Sequence, residues 1–267
     1  MVKKFQKFLE KNELADNTIQ AYVWTVNNFL MFYEKINKGN LLAYKGWMIE
    51  HYKPQTVNSR IQALNKFLEF LRRDRLKLKF IRVQHKNFLE NVISNADYVF
   101  FKNRLKNDGL IEWYFIVWFL TATGARISEL VQIKAEHVEA GYIDMYSKSG
   151  KVRRLYIPKI LRNEATDWLK CRNISLGYIF QNSFSEQISP RAIGRQLKIF
   201  AAQYGMNTKV IYPHSFRHRF AKNFLEKFND ISLLADLMGH KSIETTRIYL
   251  RRTAGEQQKL IDRIVTW

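Results

Sequence analysis

Apolar residues return every three or four positions in four consecutive segments of the first 80 residues. This period predicts four amphipathic helices, which cover residues 2–11, 16–33, 43–51 and 54–71. The helix ends agree, because Asp16 or Asn17 suits an N-cap and Pro54 suits the first turn of a helix. We therefore expect a small all-α domain at residues 1–80.

The helical period fails in residues 72–86, RRDRLKLKFIRVQHK. Basic and apolar residues partly alternate there, and seven Lys or Arg stand against one acidic residue. Such a segment is either a strand with a solvated face or an extended linker that lies along phosphates. We favour the linker because no obvious partner strand follows. We place the basic linker between the two domains at residues 81–92.

The second region, residues 93–267, is again mainly helical. Residues 110–122, LIEWYFIVWFLTA, are apolar on nearly every side and predict a central, buried helix. Gly124 then suits a turn, and Arg126 begins a short helix. The period becomes two in YIDMYS and VRRLYIP, and the KSGK between them predicts a β-hairpin. YIFQN predicts a further short strand. The other helices are expected at residues 95–106, 158–173, 190–204, 214–228, 231–238, 243–250 and 255–267.

The predicted fold class is therefore mainly α. A four-helix N-terminal domain precedes an α-rich second domain that contains a small antiparallel β-sheet.

Charge adds a partner to this picture. Forty-four Lys and Arg against 24 Asp and Glu give a net charge of +20. An excess of this size predicts a polyanionic partner, most plausibly nucleic acid. The basic residues that we expect to contact it are Arg60, Lys66, Arg72, Arg73, Arg75, Lys77, Lys79 and Lys151.

Other features limit where the protein works. The N-terminus has no apolar core of signal-peptide length, and no apolar run is long enough to cross a membrane. The single cysteine excludes an internal disulfide. We expect a cytoplasmic protein with no membrane partner.

Two arginines could bind a phosphodiester. Arg126 and Arg217 can each present a planar fork of donors to two phosphate oxygens, which lysine cannot do. His214 lies three residues before Arg217 on a predicted helix, so both point the same way. Two such forks would stabilise a phosphoryl group during transfer without a metal.

A nucleophile and proton-transfer groups are also present. Tyr249 is flanked by polar and basic residues and follows His240 by nine positions. A phenol with a pKa of about 10 needs a base or cationic surroundings to attack phosphorus, and His214 and His240 could supply that help. A lysine at the hairpin tip could protonate the leaving hydroxyl.

His214 and His218 are four residues apart, which is also a metal-ligand spacing. No glutamate lies between them, no third ligand is evident, and Arg217 would repel a cation. We therefore expect no metal, and we interpret His218 as a buried, hydrogen-bonded helix residue.

With these residues in view, the sequence resembles the tyrosine recombinases of the phage-integrase and Xer type. TGARISEL is similar to the arginine motif of that family, YPHSFRHRFA to its His-x-x-Arg motif and LMGHKSIETTRIYL to its His-to-Tyr motif. The three motifs occur in the family's order, and the four-helix N-terminal region resembles the family's core-binding domain. The resemblance therefore covers the whole chain.

The resemblance implies a role for each residue. Tyr249 would be the nucleophile that forms a 3′-phosphotyrosyl link, and Arg126 and Arg217 would clamp the phosphate. His214 would be the general base, and His240 would hydrogen-bond the scissile phosphate. Two supporting residues complete the set: Glu129 would hold Arg126, and Lys148 aligns with the family's hairpin lysine, although Lys151 lies on the same turn.

The resemblance also implies the partners. It predicts site-specific cutting and rejoining of double-stranded DNA, without cofactors, by a homotetramer on synapsed DNA, alone or with a related recombinase or accessory protein. The apolar face of the tail, Leu260, Ile261, Ile264 and Val265, suits docking onto a neighbouring protomer, and packing within the chain is the alternative. The length of the chain, without an arm-binding domain, favours a simple recombinase. A type IB topoisomerase and a DNA-binding module without catalysis remain as alternatives.

Overall fold

The computed structural model describes residues 1–83, 92–146, 152–240, 242–250 and 254–265. Within the last of these ranges it does not describe the side chains of residues 254, 256, 257, 259 and 260. The chain divides into two compact units, Met1–His85 and Lys86–Trp267. No helix among the described residues is long and apolar enough to span a membrane.

Four α-helices form most of the first unit as far as the structure describes it. They are α1 (Val2–Lys11), α2 (Asp16–Phe32), α3 (Lys38–His51) and α4 (Pro54–Phe70). Two apolar clusters hold them together, one around Phe5, Phe67 and Val26 and one around Phe29, Tyr44 and Leu64. Helix α3 begins five residues earlier than the apolar pattern indicates, because the side chain of Asn37 caps it by accepting from the Asn40 N–H.

The basic segment after α4 packs onto the first unit. A 3₁₀ turn at Asp74–Leu76 is followed by chain without strand structure through residue 83. Leu78 is buried in the core of this unit. Asn65 exchanges two hydrogen bonds with the backbone of Leu78 and Asn58 exchanges two with that of Ile81, all between 2.8 and 2.9 Å. These asparagines supply backbone hydrogen bonds that a partner strand would otherwise supply, so the chain is extended here without belonging to a sheet.

The second unit surrounds one helix. Helix α6 (Ile111–Thr123) is buried on nearly every side, as its sequence predicts. It packs against α5 (Asn95–Asn107), α9 (Lys159–Cys171) and α11 (Pro213–Phe228). The remaining helices are α7 (Ile127–Leu130), α8 (Ala135–Ala140), α10 (Pro190–Gln203), α12 (Ile231–Met238), α13 (Ile243–Arg247) and α14 (Ala254–Ile264).

Among the described residues of this unit, the only sheet is one hairpin. Strands β1 (Tyr142–Tyr146) and β2 (Val152–Tyr156) pair antiparallel, with Ile143 opposite Leu155 on the core side. The KSGK turn lies outside the described residues. The strand predicted at YIFQN is wrong: Tyr178 and Gln181 form only isolated bridges, to Lys134 and to Gln187. Within the part of the chain that the structure describes, neither bridge extends into a ladder. The mainly helical fold with a small antiparallel sheet is confirmed.

Candidate active site

Arg126 is fixed by the start of α7. Helix α6 ends at Thr123 and is capped by Gly124, whose φ of 62° is the left-handed conformation that glycine adopts without strain. Glu129 then starts α7 by accepting a hydrogen bond from the Arg126 backbone N–H at 2.7 Å. The same carboxylate accepts from Arg126 Nη1 at 2.7 Å. The Arg126 side chain is still 41% exposed, so part of its fork faces solvent.

Arg217, on α11, is almost fully buried. Its Nη1 donates to the carbonyl of Gly124, and its Nη2 donates to the carbonyl of Met238 at 2.7 Å. Burial and the nearby guanidinium groups of Arg126 and Arg153 lower the pKa of Arg217 to about 10. The guanidinium therefore stays charged at neutral pH, and it connects the end of α6 to the end of α12.

Arg153 is a third arginine in the site, and it lies outside the sequence motifs. Its Nη1 donates to Glu129 Oε2 at 2.7 Å, and its Nε donates to the carbonyl of Leu237 at 2.7 Å. Gly239, with φ 61°, leaves room for it, since a Cβ there would lie 2.4 Å from Arg153 Cδ. The alternation of β2 could have indicated this residue, because Arg153 lies on the same inward face as Leu155. A buried arginine there needs an acidic partner.

His240 follows Gly239, which caps α12 in the left-handed conformation. The His240 Nε2 lies 3.2 Å from Arg217 Nη2, and its Nδ1 lies 2.8 Å from Thr246 Oγ1. Burial, reinforced by Arg217, Arg126, Arg153 and His214, lowers the pKa of His240 to about 4. The ring is therefore neutral at physiological pH in the free protein.

His214 and His218 lie one turn apart on α11, with ring centroids 4.5 Å apart. His214 is exposed at the start of the helix, yet partial desolvation, then Arg217 and Arg126, lower its pKa. Burial, then His214 and Arg217, lower the pKa of His218 to about 4. His218 is buried as predicted, but its Nδ1 has no hydrogen-bond partner among the described residues.

Tyr249 lies in the same pocket. It belongs to a 3₁₀ turn, Ile248–Leu250, that continues α13 and packs against α11. The ring is 4% exposed, meets the His218 ring edge-on at 5.1 Å and stacks on the His240 ring at 6.0 Å between centroids. Burial raises the pKa of the Tyr249 phenol, and Arg217 offsets part of that effect. Attack on phosphorus therefore needs a base to remove the phenolic proton.

The other predicted residues are not part of this pocket as described. Lys148 and Lys151 lie outside the described residues. The first unit carries Arg60, which stacks on Trp24 and Tyr52 at 4.3 and 3.7 Å from the ring centroids. Two further basic residues of that unit pair with acids: Lys66 with Glu69 and Lys77 with Asp74, at 2.7 and 2.6 Å. The remaining four, Arg72, Arg73, Arg75 and Lys79, are exposed, as is Lys77.

Six of the predicted residues therefore meet in one unit: Arg126, Glu129, His214, Arg217, His240 and Tyr249. Two arginines that can bind a phosphate, histidines beside them and a buried tyrosine define a site for phosphoryl transfer to a tyrosine. Comparison with known proteins agrees with this class. Residues 88–256 match the model of the phage integrase family.

Individual relatives extend over nearly the whole chain. The tyrosine recombinase XerA of Pyrococcus furiosus is 29% identical, with 98% of this chain and 93% of XerA covered. A XerA crystal structure has a TM-score of 0.56 at 20% identity and covers 100% of this chain and 98% of that one. XerH bound to difH substrate, in a pre-cleavage complex, has a TM-score of 0.73 at 17% identity over 98% and 84%.

The chain belongs to the phage integrase family. It is a tyrosine recombinase, an enzyme that transfers DNA strands in site-specific recombination, as the sequence motifs predict. The topoisomerase and the binding module without catalysis are not favoured.

Proposed function

We propose that the enzyme cuts and rejoins double-stranded DNA with Tyr249 of its own chain. The attack would link the Tyr249 oxygen to the phosphate at the 3′ end of the cut strand and release a 5′-hydroxyl. A 5′-hydroxyl from another cut strand would then attack the phosphotyrosyl link, which rejoins the DNA and frees Tyr249. The observation that supports this is the seating of Tyr249 beside Arg217 and His240 in one protomer. DNA as the substrate is supported by XerH, which shares the fold and was solved on difH substrate.

In this proposal the charged side chains divide the work. Arg126, whose guanidinium is partly exposed, would bind the phosphate directly, and Glu129 would hold the Arg126 side chain in place. Arg217 would add a fixed positive charge behind the phosphate. His214, exposed and with a lowered pKa, would take the proton from Tyr249. A base of lowered pKa is neutral and able to accept that proton at pH 7.

The second histidine and the hairpin lysine complete the mechanism. His240 would hydrogen-bond the phosphate. Lys148 would protonate the leaving 5′-hydroxyl. A groove of about 980 Å³ opens beside Arg126 and His240, between the hairpin and α12, and could receive the DNA backbone.

We further propose that DNA is held along both units. A net charge of +20 supports extensive phosphate contact, with Arg60, Lys66, Arg72, Arg73, Arg75, Lys77, Lys79 and Lys151 as the predicted contacts. The place of action would then be the nucleoid.

Assembly into four protomers on two duplexes is also part of the proposal. Ile261 and Ile264 on helix α14 and Val265 directly after it are exposed, at 52%, 52% and 41%. These side chains would dock onto a neighbouring protomer. If Ile261→Asp with Ile264→Asp left cooperative site binding and synapsis unchanged, docking would be excluded.

Trapping the covalent intermediate tests the chemistry. The recombination site is first mapped by the binding of Tyr249→Phe protein. A nicked suicide substrate that carries this site should then form a covalent protein–DNA adduct with the native enzyme. Tyr249→Phe should give none, whereas Tyr204→Phe, a change on α10's end, should still form it. An adduct that survives in Tyr249→Phe protein would exclude this nucleophile.

A mixing experiment tests whether the tyrosine acts in its own protomer. Tyr249→Phe protein and His214→Gln protein are each expected to be inactive. If each site uses its own tyrosine, a mixture of the two stays inactive. Restored cleavage would show that a partner donates the tyrosine. Relaxation of plasmids that lack the site would instead indicate a topoisomerase.

A further inference from the structure

Thr246 is fully buried and contacts the second histidine of the site. It accepts or donates a hydrogen bond at His240 Nδ1, 2.8 Å away. It also lies three residues before Tyr249, which is buried on the same short segment, α13 and its 3₁₀ continuation. The nucleophile and the partner of His240 are therefore carried by one piece of backbone.

The other nitrogen of His240 decides the direction of this hydrogen bond. A guanidinium group has only donors, so at the 3.2 Å contact Arg217 Nη2 donates and His240 Nε2 accepts. A neutral imidazole with Nε2 as acceptor carries its proton on Nδ1. His240 therefore donates from Nδ1, and Thr246 Oγ1 accepts.

From this geometry we infer that Thr246 is a positioning residue: by accepting the Nδ1–H of His240 it works with Arg217 to fix this tautomer, and it holds the unprotonated Nε2 toward the arginines of the phosphate site. Because the Thr246 hydroxyl and Tyr249 lie on the same short segment, His240 is held in this orientation only when that segment is in place. The inference rests on the proposed function for its catalytic consequence, since that function gives Nε2 a phosphate to meet.

The charges around His240 explain why the tautomer matters. Arg217, Arg126, Arg153 and His214 all oppose a positive charge on this ring, and the Tyr249 ring covers one face. The free ring is neutral, so only one nitrogen carries hydrogen. A bound phosphodiester adds negative charge, which favours uptake of a proton from solvent. With Nδ1–H already engaged by Thr246, that proton goes to Nε2, which then gives up its contact with the donor Arg217 Nη2 and donates to the phosphate.

The tautomer can be read in the free protein by ¹⁵N–¹H correlation spectra of histidine-labelled full-length enzyme. The His240 signals among the six histidines are assigned with His240→Asn. Native enzyme should show the Nδ1–H form. Thr246→Val keeps the shape but removes the acceptor and leaves the buried Nδ1–H unpaired, so the ring should turn away from Arg217 and an Nε2–H form should appear. Thr246→Ser should restore Nδ1–H. The control, Thr245→Val, changes the exposed neighbour and should resemble native enzyme.

Single-turnover cleavage of the suicide substrate gives the second measurement. A histidine in a proton-transfer or hydrogen-bonding role contributes about 10²–10⁴-fold, so partial misplacement should slow Thr246→Val about tenfold or more at saturating DNA. DNA affinity should stay unchanged, and Thr246→Ser should recover most of the rate.

Three results would overturn the inference: an unchanged Nδ1–H tautomer in Thr246→Val, a Thr246→Ser enzyme as slow as Thr246→Val, or an equal defect in Thr245→Val. The spectra need no DNA, so a native enzyme that forms no adduct would count against the proposed function alone.

Discussion

Glu129 is the only carboxylate among the described residues that contacts all three site arginines. Arg126 and Arg153 each donate to it at 2.7 Å, and Arg217 lies 3.9 Å away. Glu129→Gln keeps the shape but removes the charge and turns one acceptor into a donor. We expect this change to destabilise the second unit strongly, because donors of the arginines would then face another donor.

The cost follows from how buried each pair is. The side chains of Glu129 and Arg153 are 11% and 9% exposed, and breaking such a buried pair costs about 3–5 kcal/mol. The Arg126 side chain is 41% exposed, so its pair adds at most about 1 kcal/mol. In a unit of this size each kcal/mol lowers the melting temperature by about 2–4 °C. We expect a decrease on the order of 10 °C.

Calorimetry and urea unfolding of the full chain measure this effect. Glu244→Gln is the matched control, because its pair with Arg247 is exposed and should matter by less than about 1 kcal/mol. If Glu129→Gln were no less stable than Glu244→Gln, the buried network would not stabilise the fold.

The pH dependence provides an independent test of the same network. Burial alone would raise the pKa of Glu129, but Arg153 and Arg126 lower it below its usual range. Its stabilisation is therefore complete above the unfolded value of about 4.3 and is lost as pH falls through the lower folded value. The difference in the free energy of unfolding between native and Glu129→Gln protein should be constant above pH 5 and should shrink in acid. A difference that grew in acid would contradict the assignment.

Three further predictions concern backbone, histidine and salt. Gly239→Ala should cost about 1–3 kcal/mol more in urea unfolding than Gly109→Ala, because both have positive φ but only the first meets Arg153; equal costs would exclude the clash. The pKa of His218 falls from 6.5 to about 4 on folding, so the stability of native protein should fall as pH drops from 6.5 to 4. The slope should be smaller in His218→Asn, and an equal slope would refute the shift. DNA affinity should fall about 10³-fold between 50 and 200 mM salt, and a flat profile would contradict extensive phosphate contact.

Local sequence signals predicted most of the fold. The apolar period gives α1 and α12 with the bounds that the structure shows, and the unbroken apolar run identifies α6 as the central helix. Turn chemistry predicted the hairpin. The YIFQN strand could not be judged this way, because strand pairing depends on a partner elsewhere in the chain. The extended segment after α4 was likewise fixed by two asparagines that carry no strand signal.

In the site, the motif residues were predictable and their supports were not. Arg126, Arg217, His240 and Tyr249 occur in motifs with recognisable spacing. Arg153 acts on a carboxylate 24 positions earlier and a carbonyl 84 positions later, and no local pattern reports such distances. The neighbours Thr245 and Thr246 are the same residue type, and only the folded turn shows which of them is buried.

Arg217 has a consequence for how inactive enzyme should be made. It joins two carbonyls, of Gly124 and Met238, that lie far apart in the chain and are brought together only in the fold. Replacing Arg217 removes these two hydrogen bonds as well as a positive charge. Loss of activity in such a variant could therefore come from a disturbed fold or from lost phosphate binding. Tyr249→Phe removes a single oxygen and keeps the ring in its pocket. On the proposed mechanism it would therefore be the cleaner inactive enzyme for capturing uncut sites.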